Sequence, residues 1–303
     1  MDKNDIVVNG IKNSKSLKIA ICSIVRDCDK NLKKNIPIIN EITSYFKSSI
    51  VIIFENDSID NTKQTLKEWS KKSSNVLIQC KDFGNKTIPD STDNGVNKYF
   101  SVARINKMVE YRNNYLKKLE EINFNPDFVI VVDLDVNKLY IKGIFHSFGL
   151  TDQWDVVAAN GYSMSPKFKR RYHDTYALVE LGKENIPQTE ESISINAKKW
   201  NFLQNKQSLI PVFSAHGGLS IYRYEAMKKL RYRIIKNDDN RVEVRCEHFA
   251  LCHDIREKGF GRIYINPSLE LKYQSVDINL LKKYFRIRLN GIFKSRNFLL
   301  ALL

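Results

Sequence analysis

The sequence has no uncharged apolar run of about 18 residues, so it offers no candidate for an ordinary membrane-spanning helix. Its N-terminus, MDKNDIVVNGIKNSKS, lacks the apolar core of a secretory leader. Cysteines are few (Cys22, Cys28, Cys80, Cys246 and Cys252), and no two have C-x-x-C spacing. That spacing excludes a zinc knuckle or dithiol redox motif, and the odd count favours a reducing compartment. Together these absences give the expectation of a cytosolic chain. Acidic residues are also in deficit: 34 Asp and Glu face 49 Lys and Arg, a formal net charge of +15. Such a balance points to an anionic partner, whether a phosphorylated substrate, an acidic membrane surface or a nucleic acid. There is no zinc finger, no aromatic RNA-binding motif and no helix-turn-helix pattern, which argues against nucleic acid.

What is present is enough for a large core. The 303 residues are 43% hydrophobic and 11% aromatic, ordinary for a folded domain. Residues 1–16 read as a loose tail. Beyond them, short apolar runs alternate with amphipathic ones. LKIAICSIV (17–25), SIVIIFE (49–55), NVLIQC (75–80) and DFVIVVDLDV (127–136) read as buried strands. Residues 31–47, 62–72 and 101–122 carry helical spacing. Nearly all-apolar strands separated by helices imply a parallel sheet covered on both faces. Ligands of such sheets bind beyond the carboxyl ends of the strands, and the polar oddities of this chain fall there.

The sharpest of these is DLD. Alternate residues of a strand face the same way, so Asp133 and Asp135 can reach one point while Leu134 turns into the core. Hard divalent cations bind through one or two carboxylates together with substrate phosphates. The bland alternative is a surface loop that happens to hold two aspartates. FENDSIDNT crowds Glu55, Asn56, Asp57 and Asp60 at the tip of the second strand; it reads either as a capped strand-to-helix turn or as a set of acceptors for a base or ribose. Arg104 and Arg112 lie eight apart, near one helix face, and both forks suit one diphosphate; two solvated arginines are the alternative. Downstream, Gly217 and Gly218 allow close backbone approach, by an acceptor sugar or merely in a tight turn. The stretch CEHFALCHD supplies Glu247, His248, His253 and Asp254.

In this order the pieces resemble the GT-A glycosyltransferases. FENDSIDNT is similar to their D-D-x-S-x-D-x-T signature, and YRNN ahead of VIVVDLDV is similar to their RN segment before the D-x-D strand. The ENDS form, GGLSIYR and CEH resemble, more narrowly, the fungal capsular α-1,3-mannosyltransferase family and its bacterial and viral relatives, over residues 17 to 268. The resemblance implies a Rossmann-like, mixed and mainly parallel sheet flanked by helices. It implies a catalytic domain over 17–270, divided into a nucleotide-sugar half (17–140) and an acceptor half (141–270). It further implies a GDP- or UDP-linked sugar donor and Mn²⁺ or Mg²⁺. Ser23 and Arg26 would then lie near the nucleotide, Glu55, Asn56 and Asp57 at base or ribose, and Arg104 and Arg112 at the diphosphate. Asp133 and Asp135 would hold the cation with His248. Asp135 and Glu247 would serve catalysis, Glu247 as base if the reaction inverts. Gly217 and Gly218 would meet the acceptor, a glycan or lipid-linked sugar of a capsule or cell surface.

Residues 271–303 form a basic amphipathic extension, in which Lys282, Lys283, Arg286, Arg288, Lys294 and Arg296 interleave with bulky apolar residues. It reads as a peripheral anchor on an anionic membrane, as a packed terminal helix with snorkelling lysines, or as a homodimer contact. Two other functions compete with the transferase reading. A nucleotidyltransferase would need a glycine-rich phosphate loop after strand one, and SIVRDCDKN has no glycine. A sugar-binding relative without activity is separable only by assay.

Overall fold

The computed structural model describes residues 2–165, 168–199 and 208–273, together with residues 281, 282, 285, 286 and 288. The basic extension therefore lies almost wholly outside the described residues. Among the described residues no helix is long and apolar enough to cross a membrane.

The first half follows the alternation read from the sequence. Strand β1 is Lys18–Val25, helix α2 Asp29–Ser44, β2 Ser48–Asn56, α3 Thr62–Lys72, β3 Val76–Lys81, α4 Val102–Glu121 and β4 Phe128–Val132. Then come β5 (Lys138–Leu139), α5 (Ile141–Phe148), β6 (Val156–Met164), β7 (Arg170–Tyr172) and α6 (Glu190–Asn196). The last described elements are β8 (Ile210–Pro211), β9 (Leu219–Arg223), α7 (Tyr224–Met227), α8 (Glu247–Glu257) and β10 (Ile263–Lys272).

One sheet takes in every strand among the described residues, in the order β3-β2-β1-β4-β9-β6-β10-β5, with β7 on β6 and β8 on β10. Strands β1 to β4, β6 and β10 run one way; β9 runs against both its neighbours, and the short β5, β7 and β8 are also reversed. Period-two alternation along the strands divides the core into two layers. Ile19 and Ile21 of β1 face Leu32 and Ile39 of α2, Leu66 and Trp69 of α3, and Phe145 and Phe148 of α5. Ala20 and Cys22 face the other way, toward Tyr115 and Leu119 of α4 and Leu251 and Ile255 of α8.

The loose tail expected over residues 1–16 is instead helix α1, Lys3–Ser14. Val7 and Ile11 join the core layer beneath it. The helix is fixed by two glycines: a Cβ on Gly10 would fall 1.7 Å from the carbonyl oxygen of Phe145, and one on Gly149 would fall 2.1 Å from that of Ile6. Backbones packed this closely require the absence of a side chain. The tail reading failed because α1 is only weakly amphipathic and its partner α5 lies far off in sequence.

Candidate active site

Strand β4 ends at Val132, one residue before the aspartates. They therefore sit in a turn and not on the strand where the alternation argument placed them. The geometry that matters survives. Leu134 is wholly buried, whereas Asp133 and Asp135 both line a cleft of about 720 Å³. The cleft opens at the carboxyl ends of β1, β2 and β4, where the sheet rule places ligands.

Asp133 is held on several sides. Its Oδ2 accepts from the Tyr273 hydroxyl, its Oδ1 lies 3.5 Å from His216 Nε2, and Arg112 Nη2 stands 3.9 Å away. Burial by itself would raise this carboxyl, but His216, Arg112 and Tyr273 outweigh it and keep the group below the usual carboxylate range. Asp135 behaves oppositely. Its enclosure within the pocket and the neighbouring Asp133 charge push it up to about 7, although its own surface is open to solvent in the cleft.

Arg104 and Arg112 both line the cleft, as their spacing along α4 requires. Arg104 Nη1 donates to the Tyr99 carbonyl at 2.9 Å. Arg112 is buried and its Nε donates to Glu247 Oε1 at 2.9 Å. That pairing corrects the role expected for Glu247. Burial disfavours its charge, yet Arg112 holds the carboxyl below its ordinary range, so Glu247 lines the cleft as one half of an ion pair.

The histidine that meets the aspartates is His216, not His248. The antiparallel pairing of β9 with β4 places the chain before Leu219 beside Asp133, whose N–H donates to the Gly218 carbonyl at 2.9 Å. His216 Nδ1 lies 3.0 Å from the Ser220 hydroxyl, which donates to it when Nε2 carries the proton toward Asp133. His248 stacks on His216, with centroids 3.9 Å apart, and burial pushes it well below the ordinary histidine range, so it stays neutral. Its Nε2 is buried without a hydrogen-bond partner. His253 is on another surface, 3.2 Å from its neighbour Asp254.

Among the nucleotide-side residues, Arg26 and Asn56 line the cleft, and Arg26 is shared with a second hollow of about 710 Å³ that Asp57, Lys63, Asn85 and Lys107 border. Asp57, with a φ of 51°, accepts from the N–H groups of Phe83 and Gly84, both at 2.7 Å, and so shapes that hollow. Ser23 and Glu55 do not line either space. Ser23 is buried, its hydroxyl donating to the Ile24 carbonyl at 3.3 Å. Glu55 is buried and accepts from the Ser58 N–H at 2.9 Å, the turn-capping alternative. Gly217 and Gly218 are likewise structural. Their φ values are 63° and 89°, and a Cβ would meet the Ala159 carbonyl oxygen at 2.1 Å and the Tyr273 ring at 2.4 Å, so the room allotted to an acceptor is filled by protein.

Sequence reasoning missed His173, Asp174, His216 and Tyr273, all of which line the cleft. His173 stacks on Tyr273 at 3.4 Å between centroids. Asp174 adopts a φ of 56° and accepts from the Gly217 N–H at 3.2 Å; burial raises its carboxyl above the usual range. His216 stands directly before the glycine pair that the sequence singled out, a signal that was available.

Among the described residues no group of three or more His, Cys, Asp or Glu side chains forms a ready-made metal cage. The donor set still fits a cation of the magnesium or manganese type, which takes one or two carboxylates and completes its shell with water and phosphate oxygens. Asp133 and Asp135, both on the cleft wall, are the carboxylates available to it.

No curated protein sequence matches this chain. Solved structures do. The mannosyltransferase PcManGT from Pyrobaculum calidifontis, in complex with GDP-Man and Mn²⁺, aligns with a TM-score of 0.50 at 11% identity, over 88% of this chain and 59% of that one. TarS 1-349 from S. aureus aligns with a TM-score of 0.44 at 13% identity, over 84% of this chain and 59% of that one. At these identities the likeness concerns the fold, and the first of the two carries it. This chain thus spans 59% of the length of each. The family described as Cryptococcal mannosyltransferase 1 matches residues 18–254, a span that holds both aspartates, the two cleft arginines of α4, His216 and Glu247. With a mixed α/β sheet of GT-A type and a match over most of its length, this chain belongs to the Cryptococcal mannosyltransferase 1 family, a family of glycosyltransferases.

Proposed function

We propose that the chain transfers a sugar from a nucleoside-diphosphate donor, GDP-mannose in the first instance, to a glycan or glycolipid acceptor, in a reaction that depends on a divalent cation. One observation carries this reading: two carboxylates one residue apart share a cleft at the sheet's carboxyl edge with two arginines of α4. Asp133 and Asp135 are the residues that would hold Mn²⁺ or Mg²⁺. When bound there, the cation supplies positive charge against the diphosphate as it leaves.

The chain's own groups divide the remaining work. Arg104 and Arg26 present forks to phosphate oxygens, and Asn56 lies on the base and ribose side. Arg112, locked between Glu247 and Asp133, keeps a fixed positive charge behind the aspartates. His216 and Tyr273 orient Asp133. Asp174, across the cleft, has its Oδ2 on a backbone N–H and is the carboxylate we assign to the acceptor hydroxyl. The family description supports mannose as the sugar. A role in cell-surface or capsular glycan synthesis, at the cytosolic face of a membrane reached through the basic extension, completes the proposal.

Thermal-shift measurements with Mn²⁺ and a panel of GDP- and UDP-sugars test it, because a ligand that binds only the folded state raises the melting temperature. GDP-mannose with Mn²⁺ is expected to give the largest rise. A melting temperature indifferent to every sugar nucleotide, with and without Mn²⁺, refutes the donor reading.

A further inference from the structure

Helix α2 carries two asparagines one turn apart, and both reach the turn that bears the aspartates. Asn35 is fully buried, and its side-chain amide donates to the carbonyls of Leu134 at 2.9 Å and Val136 at 2.8 Å. The Asn31 amide donates to the carbonyl of Asp135 at 2.5 Å. Residues four apart on a helix share a face, so three successive turn carbonyls are gripped by two stacked side chains. All three acceptors are carbonyl oxygens, so only the NH₂ group of each amide can make these bonds.

This grip has a cost. Asn35 Oδ1 is buried without a hydrogen-bond partner, so its lost hydration is uncompensated. An aliphatic side chain of similar size avoids that cost but leaves the turn carbonyls unheld. The turn needs holding, because β4 has already ended at Val132 and no strand pairing fixes the residues that follow. The helix is itself anchored at its start: the N–H of Cys28 donates to Thr62 Oγ1 at 2.8 Å and that of Asp29 to Asp60 Oδ2 at 3.0 Å. Helix α2 is thus tied to the loop after β2, beside the nucleotide-side hollow, and from there reaches the aspartate turn.

We propose that Asn35, assisted by Asn31, is a positioning residue for the cation site: it fixes the backbone from Leu134 to Val136 so that the Asp133 and Asp135 carboxylates share the cleft, and it sets cation affinity without touching the cation. The proposal rests on the reading that those carboxylates bind a divalent cation.

The test is a titration of Mn²⁺ into the full chain, alone and with GDP, followed by loss of the free-ion electron paramagnetic resonance signal, with each variant's melting temperature measured alongside. Asn35→Leu is expected to weaken Mn²⁺ binding about 10- to 100-fold, the range found when partners of metal ligands are removed. Asn31→Ala, at a half-buried site, is expected to weaken it several-fold while the melting temperature hardly moves. Asn237→Ala is the control, since this buried amide donates to the carbonyls of Gln188 and Val242, away from the cleft; it is expected to lower the melting temperature and leave Mn²⁺ affinity unchanged. Wild-type affinity in Asn31→Ala and in folded Asn35→Leu overturns the clamp and leaves the cation site standing. If Asn35→Leu fails to fold, Asn31→Ala decides alone. No Mn²⁺ uptake by the wild-type chain, with or without GDP, overturns the cation reading and the clamp with it.

Discussion

Arg112 lies between two carboxylates and almost wholly out of water, and the chemistry of the cleft depends on how it is shared. Its bond to Glu247 Oε1 at 2.9 Å is a buried ion pair, whereas Asp133 stands 3.9 Å off. Removing one member of such a pair strands the other charge in a low-dielectric interior. Glu247→Ala is therefore expected to destabilise the protein by about 3–5 kcal/mol in chemical denaturation. A catalytic base replaced by alanine would instead lose rate and keep its stability. Asp133→Ala and Asp135→Ala should separate the other way. Each is expected to cut sugar transfer at least about 100-fold, as loss of several kcal/mol of charge stabilisation requires, with the circular dichroism spectrum unchanged. That Asp133 and Asp135 share a cleft was legible in the sequence, because they close an apolar run on either side of a buried leucine. The role of Glu247 was not, because a carboxylate's partner is fixed by the fold: Arg112 comes from a helix 135 residues away in sequence. His216 had a signal in its place before the glycine pair, but its partner did not, since only the β4–β9 pairing brings it to Asp133.

At the scale of elements, the four strands of the first half and the long helices between them could be read to within a few residues. Their signals are local: apolar alternation and helical periodicity over one segment. Helix α1 could not be read in this way, since its place comes from a backbone contact with α5 that no local pattern encodes. Gly10→Ala tests that contact. The added methyl has no room beside the Phe145 carbonyl, so α1 must shift from α5, and a loss of about 1–3 kcal/mol is expected in thermal unfolding. A truly loose N-terminal tail would tolerate the change, and a helix with a free face would gain slightly from it. Strand β9 teaches a similar lesson. Gly217 and Gly218 were legible as a possible tight turn, but nothing in GGLSIYR states that the strand it leads into runs antiparallel between β4 and β6.

Over the whole molecule, the two strand-end loops on the nucleotide side are laced together by ionised carboxylates. Hydrogen bonds from Lys33 and Thr65 lower the Asp29 carboxyl. For Asp57 and Asp60 burial pulls the other way, and hydrogen bonds, from Asn56 and Thr62 among others, prevail and keep both low. A carboxyl held lower in the folded state than in the unfolded chain contributes stability above its unfolded value, and loses it as the pH falls through the folded one. The stabilisation from these three carboxylates is thus expected to be steady from neutral pH down to about 4, the ordinary aspartate value, and to be lost below it, so that the melting temperature falls in that range. A melting temperature that holds on acidification well below that value refutes this account. The basic extension belongs to this scale too: deleting residues 276–303 is expected to weaken binding to anionic vesicles in a sedimentation assay, and unchanged binding removes the membrane part of the proposal.

The sequence by itself determined the alternating α/β core, the D-x-D pair, the arginines of α4 and the likeness to a glycosyltransferase family. All of these are written in contiguous stretches whose periodicity or spacing is set by backbone geometry. The tertiary structure alone decided which charges are spent inside the protein and which face the cleft. It paired Glu247 with Arg112, set His216 against Asp133, filled the space beside Gly217 and Gly218, and brought Asn31 and Asn35 under the aspartate turn. The physical reason is that hydrogen bonds and ion pairs act over a few ångströms, and only the packed chain brings residues from distant stretches that close.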